Sequence, residues 1–131
     1  MPVRNEASLF KVLSDVTRLR LASLLLANGE TCVCILAQAL EEQDFKISRH
    51  LGVMRHAGLI KARREGTWMH YKVIEPRSDF ERSFYEFLRN SLADHPTLKQ
   101  DLVRLSKATC MKSDEKKGAA HDPSVCKKSA G

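Results

Sequence analysis

GETCVCILAQALEEQDFKISRHLGVMRHAGLIKARREGTWMHYKV, residues 29–73, holds two short helical patterns, a polar break between them and then a period-two stretch. The first pattern, about 32–40, places Leu36 and Leu40 on an inner face, with Thr31 suited to cap it. Glu41, Glu42 and Gln43 form a short polar turn. The second pattern, about 44–57, has Asp44 as its cap and Ile47, Leu51 and Met54 at i, i+4 and i+7. Gly58 stops it. From Leu59 the period changes. Ile60 and Ala62 alternate with Lys61 and Arg63, residues 64–67 turn, and Met69, Tyr71 and Val73 alternate with Trp68, His70 and Lys72. That spacing predicts a hairpin with one buried face and one basic, polar face. Two helices on a tight turn, followed by a basic hairpin, describe a winged helix-turn-helix.

The flanking sequence is helical. Leu9, Phe10 and Leu13 mark a helix over 5–13, and Asp15 or Ser14 can cap another over 16–27, which Asn28-Gly29 ends. Leucines on several faces of this second helix suggest burial against a core and a partner subunit. After Pro76, Phe80, Phe84, Phe87, Leu88 and Leu92 share one stripe. His95-Pro96 breaks it, with Pro96 suited to a first helical position. The last helix carries Leu98, Leu102 and Leu105 to about Thr109. The expected chain is mainly α with a small β-hairpin. One domain spans 1–109, with the helix-turn-helix about 32–57, the wing about 59–74 and closing helices about 78–109. A flexible tail, 110–131, holds Cys110 and Cys126.

Charge is concentrated in the same region. The 131 residues carry 22 Lys+Arg against 16 Asp+Glu, a net charge of +6. Lys46, Arg49, Arg55, Lys61, Arg63, Arg64 and Lys72 face only Glu65 within residues 46–72, so that segment alone accounts for the whole excess. An anionic partner follows, and double-stranded DNA fits the architecture. Lys46, Ser48, Arg49, His50 and Arg55 are the candidate groove-facing residues of the second helix. An arginine there can bond a guanine bidentately, and Lys61, Arg63, Arg64 and His70 on the hairpin would meet phosphates or the adjacent minor groove. Trp68 and Tyr71 read as packing residues.

The longest apolar run, residues 21–27, is too short to cross a bilayer, and charged residues interrupt any leader-like core near the start. The expectation is a soluble, cytoplasmic protein whose four cysteines are reduced thiols. No catalytic triad, phosphate loop or acid-base carboxylate pair is present, so no enzyme is expected. Cys32 and Cys34 follow Thr31 at a helix start, where unpaired amides stabilise thiolates, and thiolates bind soft ions. On a regular helix, residues i and i+2 point about 200° apart, so gathering both sulfurs on one ion should distort the helix start. A structural role as small buried hydrophobes is the alternative. Cys110 or Cys126 offers a third thiol. The five histidines show no ligand spacing among themselves and read as surface or DNA-facing.

With these features in place, the chain resembles the ArsR/SmtB family of metal-responsive repressors, and within it the arsenical-resistance branch. The matching segments are LFKVLSDVTRLRLASLLL (9–26), GETCVCILAQAL (29–40), KISRHLGVMRHAGLI (46–60) and RREGTWMHYKV (63–73). The resemblance implies a winged-helix homodimer that represses an operator and leaves it when a toxic ion binds. It implies Cys32 and Cys34 as ligands for As(III) or Sb(III). Some close relatives have a further cysteine where this chain has Ala37, which leaves Cys110, water or a cellular thiol as the third donor. A cadmium, lead or zinc branch shares the Cys-Val-Cys but adds cysteines that precede it, and none precedes Cys32 here. The zinc-sensing pattern of the last helices is not supplied by Asp79, Glu81 and a lone His95. A divalent-ion or thiol-redox trigger on the same fold is the alternative.

Overall fold

The computed structural model describes residues 3–110. These described residues form six helices and a small sheet: α1 (Val3–Val12), α2 (Val16–Asn28), β1 (Thr31–Cys32), α3 (Val33–Leu40), α4 (Asp44–His56), β2 (Ile60–Glu65), β3 (Trp68–Val73), α5 (Asp79–Leu92) and α6 (Pro96–Lys107). The expected tail beyond Cys110, including Cys126, lies outside the described residues.

Helix boundaries follow local chemistry. The Asp15 carboxylate accepts the Arg18 amide at 3.1 Å and caps α2, while Gly29 closes it at φ 85°, where a side chain would be strained. Ser78 caps α5 by accepting the Glu81 amide at 3.2 Å, and Pro96 opens α6 where its missing N–H costs nothing. Two expected caps differ. Gln43, not Asp44, is the cap of α4, and Asp44 becomes its first residue, where its charge still suits the helix N-terminus. Thr31 belongs to a strand, and its hydroxyl donates to the Gly29 carbonyl instead of capping α3.

The sheet has the order β1-β3-β2 and is antiparallel throughout. β2 and β3 pair from Ile60↔Val73 to Glu65↔Trp68, so only Gly66 and Thr67 turn, a tighter hairpin than the four residues expected. β1 adds Thr31↔Tyr71 and Cys32↔His70. That short strand makes β3 central and breaks the expected alternation: His70, read as DNA-facing, is buried, and so are Trp68 and Tyr71, the two residues read as packing. A two-residue strand carries no periodicity by which sequence could reveal it.

The core joins Leu21, Leu24 and Leu25 of α2 to Ile35 and Leu36 of α3, Ile47, Leu51 and Met54 of α4, and Leu59 and Ile60. Each such side chain contributes roughly 1.5–3 kcal/mol by leaving water. The α4 residues at i, i+4 and i+7 are all buried, which fixes which face of α4 remains outside. A second apolar group stays at the surface. Phe10 of α1 lies 5.2 Å from Phe84 and 6.0 Å from Phe80, ring centre to ring centre, while Phe10 and Phe87 remain largely exposed.

Candidate DNA-facing surface and cysteine site

Between them, α3 and α4 form the helix-turn-helix, and β2–β3 form the wing. Around α4, Lys46, Ser48, Arg49 and Arg55 are exposed, as are Lys61, Arg63 and Arg64 on the wing. Lys46 pairs with Glu42 at 3.5 Å. Arg63 is clasped by both carboxylate oxygens of Glu30 at 3.0 Å and by Glu65 at 3.1 Å, which raises the pKa of its guanidinium. Glu30 is a residue the sequence reading missed, because nothing in local spacing ties it to a wing arginine 33 positions away. Arg49, Arg55, Lys61 and Arg64 carry no ion pair among the described residues.

Two histidines sit differently from expectation. His50 is half-buried and its Nδ1 lies 3.3 Å from Nη1 of Arg18, whose Nε donates to the Val12 carbonyl at 2.7 Å. His70 is fully buried, with Nε2 3.5 Å from Glu65 Oε1. Burial, with Arg63 alongside, lowers its pKa and keeps the ring neutral. It supports the wing from inside the sheet, so its expected place on a phosphate-facing surface is corrected.

The cysteine cluster lies where α3, α6 and the sheet meet. Cys32 ends β1 and occupies the cap position of α3 in extended conformation, φ −86° and ψ 159°, while Cys34 lies in the first helical turn. The 200° argument therefore fails. Because Cys32 stands outside the helix, its sulfur reaches within 3.3 Å of Cys34 Sγ with the helix start undisturbed. Cys110, expected in a loose tail, is buried beside them, and its sulfur lies 3.1 Å from Cys32 Sγ. The three sulfurs lie within 4.8 Å of one another. Cys34 and Cys110 are joined as a disulfide, Cα atoms 6.0 Å apart, with Cys32 the free thiol among the described residues, in place of the three reduced thiols expected. Burial pushes the Cys32 thiol up to about 11, although the amides of Ile35 and Cys34 favour its thiolate. The expected lowering at a helix start is overturned, because desolvation outweighs those amides.

What brings Cys110 there is the docking of α6. Asp101, fully buried, accepts from Arg20 at 2.7 and 2.9 Å and from Arg104 at 2.7 Å. Arg104 also donates to the Ala39 carbonyl at 2.7 Å, and Gln38 exchanges two hydrogen bonds with the Thr109 backbone. Gln38 is the second residue missed by sequence, its partner being 71 positions away. At position 37, where relatives of the resemblance place a cysteine, buried Ala37 packs into the core.

Residues 15–62 match the sequence model of the bacterial regulatory protein arsR family. An HTH-type transcriptional regulator of Methanocaldococcus jannaschii is 42% identical over 71 residues, which cover 54% of this chain and 80% of that one. The chain belongs to the arsR family. The arsenical resistance operon repressor of Escherichia coli is 49% identical over 65 residues, half of this chain, and the match spans only 56% of the repressor's length. Among solved structures, the homodimeric winged helix-turn-helix DNA-binding domain from Mycobacterium bovis superposes with a TM-score of 0.57 at 26% identity, covering 71% of this chain and 82% of that one. The two sequence relatives are named as an operon repressor and a transcriptional regulator, and the fold of the present chain is the winged helix-turn-helix. No helix among its described residues is long and apolar enough to cross a membrane.

Proposed function

We propose that this arsR-family chain is a homodimeric repressor, acting in the cytoplasm, that holds double-stranded operator DNA and releases it when Cys32, Cys34 and Cys110 bind As(III) or Sb(III). The observation that carries the reading is the convergence of three buried cysteines, from β1, α3 and the segment just after α6, at the root of the helix-turn-helix. Lys46, Ser48, Arg49 and Arg55 on α4 meet the major groove, and Lys61, Arg63 and Arg64 on the wing meet the backbone. His50 acts by bracing α4 against Arg18. The exposed Phe10 and Phe87 face is the contact with the second copy.

The donor set suits a trivalent ion that prefers three thiolates in a pyramid, and no water or added thiol is needed to complete it. The Cys34–Cys110 disulfide must first take two electrons from a cellular thiol. Arsenous acid then exchanges its three hydroxyls for three sulfurs, and each thiol proton leaves as water. Cys32 and Cys34 tie the site to the start of α3, and the Cys32↔His70 pairing ties it to the central strand of the wing, so exchanging the Cys34–Cys110 bond for a bound ion acts on both. Both DNA-facing elements are thus coupled to one site, and the coupling is reciprocal, typically 1–3 kcal/mol.

The test is release of the reduced protein from the DNA upstream of its own gene, followed by fluorescence anisotropy during titration with arsenite, antimonite, cadmium and zinc. Release by arsenite or antimonite at low concentration, and not by zinc, supports the reading. Release by cadmium or zinc alone moves the chain to a divalent-ion sensor. A second reading rests on the Cys34–Cys110 pairing itself: formation of that disulfide by a peroxide would be the signal. Loss of DNA binding on adding peroxide in the presence of chelator, with no response to arsenite, would favour it.

A further inference from the structure

The outer ridge of α4 contains two residues that the fold does not explain. With Ile47, Leu51 and Met54 buried, the helical period puts Phe45, Arg49, Gly52 and His56 directly opposite the core, at i, i+4, i+7 and i+11. Phe45 is 58% exposed in the first turn. It lies on a different element from the Phe10–Phe80–Phe84 group. Gly52 sits in mid-helix without a positive φ, and a Cβ placed there would meet nothing within 4 Å. Neither backbone geometry nor packing inside the chain calls for glycine, and a solvent-facing helical glycine is less stable than alanine. Both features make sense only against something outside the chain.

Resting on the DNA-binding reading above, we infer that Phe45 reads a thymine methyl group in the major groove and that Gly52 is the point where the groove wall comes closest to α4. An aromatic edge is a known partner for the thymine C5-methyl, the one apolar group that the major groove displays. Phe45 stands one turn before Arg49, so a thymine contact by Phe45 and a guanine contact by Arg49 fall on neighbouring base pairs. Gly52 lets the ridge seat deeply enough for both, since any side chain there would hold the helix away from the sugar–phosphate wall.

The experiment uses the full chain under reducing conditions. Wild-type protein first selects its site from a randomised duplex library, and each thymine of that site is then replaced by deoxyuridine, which removes only the methyl group. At one thymine per half-site the replacement weakens wild-type binding about fourfold, the worth of one buried methyl. Phe45→Ala binds the thymine site about as weakly as wild type binds the uracil site, and is insensitive to the replacement. Gly52→Ala weakens binding to every selected sequence by about tenfold while raising Tm by a few degrees. Circular dichroism checks that both exposed-face variants fold. If no thymine matters to wild type, or if Phe45→Ala keeps the same sensitivity, the Phe45 assignment is overturned. Undiminished binding by Gly52→Ala overturns the close approach. Failure of wild type to select any site would sink the DNA-binding reading itself, an outcome separate from these.

Discussion

At Cys32 two opposing effects meet. Amides at the start of α3 point toward its sulfur and favour the thiolate, while complete burial favours the thiol and wins, leaving the group protonated at neutral pH with its pKa raised to about 11. The sign of the pH dependence follows. A divalent ion must expel the protons of the thiols it binds, so its affinity falls as pH drops. Arsenous acid carries its own hydroxyls, which leave as water with those protons, and no net proton is released. Between about pH 6 and 8, arsenite affinity is therefore expected to change little, whereas cadmium affinity weakens by up to about tenfold per pH unit for each proton displaced. Isothermal titration in buffers of different ionisation enthalpy checks the proton count. Three released protons with arsenite would contradict the exchange chemistry. Cys110→Ser gives a second residue-scale prediction: DNA binding stays within about twofold of wild type, and bound arsenic is held by two sulfurs and dissociates at least about tenfold faster, measured by competition with a dithiol.

Individual elements are held by a few buried charges. Glu81, in the first turn of α5, is fully buried and accepts from Arg77 through its amide at 2.8 Å, its Nε at 3.3 Å and its Nη2 at 3.1 Å, while the same guanidinium donates to the Gly58 carbonyl after α4. Burial raises the carboxyl pKa, but the Arg77 bonds outweigh it and the net shift is downward. A lowered carboxylate pKa adds stability that is complete above the ordinary glutamate value of 4.5 and is lost as pH falls through the folded value. Glu81→Gln is expected to cost about 2 kcal/mol at neutral pH, less than a fully buried pair because Arg77 stands half in solvent. The gap from wild type should close in acid, as urea unfolding across pH would report. A gap independent of pH would show that Glu81 acts by packing alone. For α6, Asp101→Asn leaves Arg20 and Arg104 without their shared carboxylate and is expected to destabilise by about 3 kcal/mol. It should also slow arsenite capture, because Cys110 then approaches α3 less often. The same elements mark what sequence could disclose. Ile47, Leu51 and Met54 announced α4 by their spacing, and Pro96 announced the start of α6. The cap position of Cys32, the burial of His70 and the arrival of Cys110 depend on a two-residue strand and on partners more than 70 positions away, which no local period encodes.

For the whole molecule, charge distribution and symmetry combine into one measurable quantity. Arg55, Lys61 and Arg64 lack ion pairs among the described residues, and in a homodimer they become six cations. If each neutralises a phosphate while Arg49 reads a base, log affinity should fall with log salt at a slope of roughly −5. Replacing the exposed apolar pair, Phe10→Ala with Phe87→Ala, should shift the protein to monomer by sedimentation and roughly halve that slope, since a monomer engages one half-site. Arg64→Ala sharpens the argument. A two-fold dimer loses two phosphate contacts from this one substitution, so the slope should become shallower by roughly 2, with affinity reduced to a similar extent on every sequence. A change of roughly 1 would mean that one wing alone touches the backbone. No change would place the wing off the DNA, leaving α4 to carry the contact.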